Sequence, residues 1–147
     1  MKKFNQKYRK AVFIVTYRKD NRKIYYLLMK RKLHWKGWEF PKGGVEKRES
    51  IMMAVKRELN EETGQISNNI KSYRITGKYK YNKPLEDRPE FIGQSYKLFS
   101  AEIKKKNIKF DKKEHSDCKW AEYKKALNLL KYTNQRKCLS IVNSLIK

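Results

Sequence analysis

Between Gly43 and Gln65 the chain reads GGVEKRESIMMAVKRELNEETGQ, and the fixed spacing in that run leaves few ways to fold it. Gly43 is followed after five residues by Glu49, after seven more by Arg57-Glu58-Leu59, and then by Glu61-Glu62 and Gly64. Ser50 suits a helix N-cap and Gly64 a C-terminal stop, so the spacing predicts a helix between them. Each helical residue turns about 100°, so Glu58, Glu61 and Glu62 at i, i+3 and i+4 fall on one face. Met52, Val55 and Leu59 form an adjacent apolar stripe, expected to pack on a core. Three crowded carboxylates raise one another's pKa unless a cation sits among them, and hard oxygen donors of this kind suit Mg²⁺ or Mn²⁺. The same acids could form a solvated face held by Lys56, Arg57 and Arg48. The register with the two glycines, Glu49 and Arg57 favours the metal reading.

Charge frames this segment. The chain of 147 residues carries a formal charge of +23, whereas residues 43–65 hold five acids against four bases. Residues 1–37 contain thirteen bases and the single acid Asp20. A cationic body around one acidic helix would concentrate polyanions near a metal-holding site. The lysines are spread along the whole chain, however, so charge alone leaves nucleotide, nucleic acid and anionic membrane open as partners.

The length suits one domain, 1–147, with a real core. With 39% hydrophobic and 13% aromatic residues the chain is not of disordered composition. Ala11 to Val15 is too short for a membrane span or signal peptide. Cys118 and Cys138 lack a CxxC partner and read as ordinary buried thiols of a reducing, cytoplasmic compartment. Strand-like runs occupy about 10–17 and 24–31, joined by a turn at Lys19-Asp20-Asn21-Arg22. Further strands are expected near 70–81, near 91–103 and around Trp120. Helices are expected at about 122–131 and 134–146, the second capped by Thr133 or Asn134. Mixed strands with flanking helices predict a sheet sandwiched between helix layers.

The segment resembles the signature of Nudix hydrolases at every specified position but the last, where a bulky aliphatic residue is expected and Gln65 stands, with Ile66 next. The stretch Trp38-Glu39-Phe40-Pro41-Lys42-Gly43-Gly44 resembles the entry to that signature in diadenosine tetraphosphate hydrolases and RNA pyrophosphohydrolases. Phe91 to Phe99 resembles a strand of the same enzymes, and Leu130 to Leu139 the end of the diadenosine enzymes. Glu114, six residues before Trp120, resembles an acidic loop residue that supplies an extra carboxylate. The resemblance covers nearly the whole chain and implies an α/β/α sandwich with a mixed sheet.

It also implies a metal-dependent hydrolase that cuts a diphosphate linkage by in-line attack of water on phosphorus. Mapped residue by residue, Glu58 and Glu62 would be principal metal ligands, Glu61 a ligand or its support, and the Lys42 carbonyl a backbone ligand. Arg57 and Glu49 would orient the cluster. Glu58 or Glu114 would take the proton from water. Lys42 and Lys83 are candidates for phosphate contact, and Tyr79, Tyr81 and Tyr132 for stacking on a base. The leading expectation is asymmetric cleavage of dinucleoside polyphosphates. The alternatives are removal of pyrophosphate from RNA 5′ ends, with RNA held on the basic surface, and a non-catalytic polyanion-binding module, against which the intact acids count.

Overall fold

The computed structural model describes residues 7–146. The elements run β1 (Lys7–Asp20), β2 (Lys23–Arg31), β3 (Gly37–Glu39), β4 (Lys42–Gly44), α1 (Ile51–Thr63), β5 (Asn69–Lys80), β6 (Phe91–Glu102), β7 (His115–Ala121), α2 (Tyr123–Leu129) and α3 (Thr133–Leu145). Asn21 and Arg22 close the first hairpin with φ of 48° and 66°. Two successive left-handed residues give the turn whose twist matches that of the flanking strands.

β1 organises the sheet. It runs parallel to β6, with Val12 opposite Lys97 and Tyr17 opposite Glu102. β5 lies antiparallel on the far side of β6, and β4 pairs with β1 at Ala11–Phe13. β2 pairs with β1 only near the hairpin end, then diverges to take β3 and β7 as neighbours. One parallel pair among antiparallel ones makes the sheet mixed.

Both faces are covered, which explains why β1 is apolar at consecutive positions. Val12 and Ile14 pack under Ala54, Val55 and Leu59 of α1. Phe13, Val15 and Tyr17 face the other way, into a cluster with Ala126 of α2 and Cys138, Leu139 and Val142 of α3. The result is the expected α/β/α sandwich, with α1 alone on one side among the described residues. Cys118 and Cys138 are free thiols; Cys138 is buried as expected, whereas Cys118 on β7 is only partly buried, and burial pushes Cys138 up to about 11. Among the described residues no helix is long and apolar enough to cross a membrane.

Both caps of α1 form as the sequence indicates. Ser50 Oγ accepts from the Met53 amide at 3.1 Å, and Gly64 adopts φ 73° while its amide reaches the Asn60 carbonyl. Two local expectations need correction. Met52 is 37% exposed, and the packed stripe is Ala54, Val55 and Leu59 instead. The core lies on the side of the helix that carries Glu58 and Glu62, and Met52 falls at its edge. Neither Thr133 nor Asn134 caps α3. The cap position is Tyr132, without a side-chain hydrogen bond, because Thr133 and Asn134 lie within the first turn.

Candidate active site

The turn from β4 into α1 brings two glycines against two charged side chains. A side chain on Gly43 would overlap the Glu58 carboxyl group, and one on Gly44 would overlap the Arg9 guanidinium. Backbone without Cβ thus lets a carboxylate and a guanidinium lie directly on the main chain. Arg57 holds this turn to the helix. Its Nε donates to Glu49 Oε2 at 2.7 Å, its Nη2 to Glu49 Oε1 at 2.9 Å and to the Gly44 carbonyl at 2.8 Å, and its Nη1 to Glu58 Oε1 at 2.8 Å. The fork-to-carboxylate geometry fixes both partners. Hydrogen bonds from Arg57 and the Glu46 amide hold Glu49 down at about 2. Burial wins at Glu58, pushing it up to about 8 in spite of Arg57.

One helical turn on, Glu62 is 1% exposed and faces His115, which is fully buried at the start of β7. His115 Nε2 lies 2.8 Å from Glu39 Oε2 on β3, and its Nδ1 lies 3.0 Å from Glu62 Oε2. The second contact is an ion pair off the line of the N–H, so neither atom has a well-aligned hydrogen-bond partner. Burial alone would lower the imidazole pKa, but the two carboxylates raise it to about 9. Glu39 is a buried hub. Burial opposes its ionisation, yet Lys42, His115 and Arg31 hold it at about 2. Trp35 Nε1 donates to its other oxygen at 3.2 Å.

These residues fit a divalent cation. Glu62, Glu114 and His115 each offer a ligand atom, all within 4.8 Å of one another. Buried carboxyl groups pushed upward, and a Glu62 oxygen without an aligned donor, are what a cation among them would relieve.

Beside the carboxylates opens a cavity of about 500 Å³, with Trp35, Lys42, Tyr79, Tyr81, Tyr132 and Asn134 in its walls. The Lys42 ammonium lies 4.6 Å from the centre of the Trp35 ring and 5.9 Å from that of Tyr79. Burial lowers its pKa, Glu39 opposing. Trp35 and Lys42 also line a smaller polar cavity against Gly43, Glu58 and Glu114.

Among the residues anticipated from sequence, Glu58, Arg57, Lys42 and Glu114 come together around the two glycines, Glu49 is tied in through Arg57, and Glu62 lies with Glu114 at His115. Glu61 does not join Glu58 and Glu62 inside: its side chain is 52% exposed and pairs with Arg57 at 3.4 Å. Tyr79, Tyr81, Tyr132 and Lys83 all reach the larger cavity. The Tyr79 ring leans on Phe13 and Tyr96, so it is partly a core residue. Glu39, His115, Arg9, Arg31 and Arg88 were not anticipated. Glu39 lies within the recognised stretch Trp38–Gly44 and His115 next to Glu114, and those positions are the signal that could have marked them.

Comparison with known proteins places the fold in a family. The family model for the NUDIX domain matches residues 7–140. The chain is 30% identical over 138 residues to the RNA pyrophosphohydrolase of Francisella tularensis subsp. mediasiatica, spanning 87% of this chain and 86% of that one. The fold superposes on the Ap4A hydrolase of C. elegans in a binary complex with a TM-score of 0.77, at 24% identity over 94% of this chain and 97% of that chain. It also superposes on the NUDIX domain of Shewanella oneidensis NrtR complexed with ADP ribose, again with a TM-score of 0.77, at 16% identity over 97% and 90% of the two chains. The chain belongs to the Nudix family and is a Nudix pyrophosphohydrolase.

Proposed function

We propose that the enzyme cleaves dinucleoside polyphosphates such as diadenosine tetraphosphate asymmetrically, with Mg²⁺ or Mn²⁺. One observation carries the reading: Trp35 and Lys42 are shared walls between the polar cavity at Glu58 and the aromatic cavity of about 500 Å³. That volume lies in the range of small-molecule sites, roughly 300–1,000 Å³. A base stacked on Tyr132 or Tyr81 would leave its phosphates pointing toward Lys42 and the carboxylates.

In this reading Glu58 and Glu62, with Glu114 and the Lys42 carbonyl, hold the cation, and Glu61 supports them from the rim. When bound, the cation polarises the attacking water and offsets charge on the bridging oxygens. Arg57 and Glu49 fix the Glu58 carboxylate. Either Glu58, which lies on Gly43, or Glu114, more exposed at the rim, receives the proton of water. Lys42 and Lys83 meet phosphate oxygens.

A second reading, removal of pyrophosphate from RNA 5′ ends, is favoured by the 30% identity to an RNA pyrophosphohydrolase and the charge of +23. The kcat/KM values for diadenosine tetraphosphate and for 5′-triphosphorylated RNA, measured across salt, separate the two. Adenosine mono- and triphosphate as products, with weak salt dependence, are expected. Two equal diphosphate products would overturn the asymmetric assignment. A large preference for RNA with a steep salt slope would establish the second reading.

A further inference from the structure

Most cations around the site have a carboxylate partner. Arg31 reaches Glu39 and Glu114, Lys42 reaches Glu39, and Arg57 reaches Glu49 and Glu58. Arg9 and Arg88 differ. Arg9, on β1, makes no ion pair among the described residues, and Arg88, on the loop between β5 and β6, has only a 3.8 Å contact to the exposed Asp87.

These two arginines nevertheless converge. Gln94 of β6 is 4% exposed. With its amide turned to satisfy its neighbours, its nitrogen donates to the Tyr79 hydroxyl at 2.6 Å and its oxygen accepts from Arg9 Nη1 and Arg88 Nη1, each at 3.2 Å. Two like charges are therefore drawn together on one neutral oxygen. Burial and the nearness of Arg88 both disfavour the charge on Arg9, while Glu58 and Glu114 are near enough to favour it. Arginine stays ionised in such a place, so the pair is a local concentration of positive charge in which Arg9 has no ion pair among the described residues. Arg9 is further fixed by lying flat across Gly44, where any side chain would displace it.

Arg9, Arg88 and Gln94 line the small polar cavity together with Glu58 and Glu114. Its volume of about 30 Å³ is room for about two waters, hence for two oxygens of a phosphoryl group entering from the side. Carboxylates take a cation, and guanidinium groups take an anion bidentately.

We infer that Arg9 and Arg88, brought together and aimed by Gln94, are a clamp for one phosphoryl group of the substrate in the small cavity that Glu58 and Glu114 also line. This deepens the hydrolase reading and rests on it for the substrate class. Gln94 is a positioning residue. Through Tyr79 it also ties the clamp to the wall of the aromatic cavity, since the Lys42 ammonium lies 3.4 Å from the same hydroxyl.

The test is calorimetric binding of methylene-bisphosphonate, a non-cleavable diphosphate, to the wild type, Arg9→Gln, Arg9→Lys, Arg88→Gln and Gln94→Leu, with and without Mg²⁺. Manganese affinity by electron paramagnetic resonance and kcat and KM on the cleaved nucleotide accompany it. Each Gln variant should bind the bisphosphonate about tenfold or more weakly, the worth of one charge-assisted hydrogen bond. KM should rise by a similar factor, with Mn²⁺ affinity unchanged. Arg9→Lys should recover only part of the loss, because an ammonium lacks the fork. Arg88→Gln, on a surface loop, reads the clamp even if the Arg9 variants fold poorly. Unchanged bisphosphonate affinity in folded Arg88→Gln, or a wild type that does not bind it, overturns the clamp. A wild type that cleaves no diphosphate-linked nucleotide, yet loses bisphosphonate binding in these variants, would overturn the hydrolase reading and leave the clamp standing.

Discussion

The Glu58 carboxyl group occupies the space that a side chain on Gly43 would need. The overlapping atoms are the far end of a flexible side chain, so a methyl group there should move Glu58 rather than unfold β4. Gly43→Ala is expected to keep its melting temperature within a few degrees while kcat falls on the order of 10²-fold, as a small misplacement of a reacting group does. Circular dichroism melts and steady-state kinetics on the same preparation check both halves.

Glu62→Gln keeps size and removes charge from a carboxyl group 3.0 Å from His115. Turnover with saturating Mg²⁺ should collapse, by several kcal/mol in barrier if Glu62 holds the cation. Glu58→Gln should behave alike. Near-normal turnover in either variant, with Mn²⁺ affinity intact, would remove that residue from the metal site.

His115 bridges Glu39 and Glu62 through different ring nitrogens, and the two contacts can be removed one at a time. An asparagine amide nitrogen sits near the Nδ1 position and faces Glu62. A glutamine amide nitrogen reaches the Nε2 position and faces Glu39. His115→Gln should therefore lower Mn²⁺ affinity about 10- to 100-fold, the usual cost of losing a partner behind a metal ligand. His115→Asn should lower it less. Equal losses in the two would mean that His115 acts through packing alone.

The metal-free protein should lose stability between neutral and alkaline pH. Glu58, raised to about 8 by burial, and His115, raised to about 9 by its two carboxylates, both titrate in this window. For a raised folded-state pKa the stabilisation is complete below the unfolded value and is lost as pH rises through the folded one. Both groups give the same sign, so the melting temperature in EDTA should fall from pH 6.5 to 9. Added Mg²⁺ should flatten that fall by replacing the proton on Glu58. A melting temperature that rises over this window in EDTA would contradict both shifts.

Tyr132→Ala tests the aromatic wall. Tyr132 stands just before α3 and lines the larger cavity. Loss of one stacked base costs roughly 1–3 kcal/mol, which should appear in KM with kcat little changed. An unchanged KM would move base recognition to Tyr81, since Tyr79 is tied inward by Gln94 and Phe13.

What could be read beforehand was local. The caps of α1, the apolar run of β1 and the helical spacing of α3 all depend on residues near one another in the chain. Glu61 misled because i, i+3, i+4 spacing defines a face but not where burial stops on it. Glu58 and Glu62 differ by about 40° around the helix, whereas Glu61 lies about 60° to the other side of Glu58, out on the rim. Glu39 and His115 are 76 residues apart, and Arg9 meets Arg88 only because β1 pairs with β6. Such contacts come from sheet register, which a pattern in one segment does not encode.

β1 is shared between both helix layers, and its parallel partner β6 begins at Phe91. Parallel pairing joins segments far apart in the chain, so closure of this sheet carries a large loop-closure cost that only the completed fold repays. The acidic helix has no complete surface to rest on until that closure, because Phe99 and Ala101 of β6 are part of its bed. A nascent chain released before Phe91 would therefore hold every residue of the Gly43–Gly64 segment and still lack a formed catalytic centre. Assembly of the site and cooperative collapse of the whole molecule are one event.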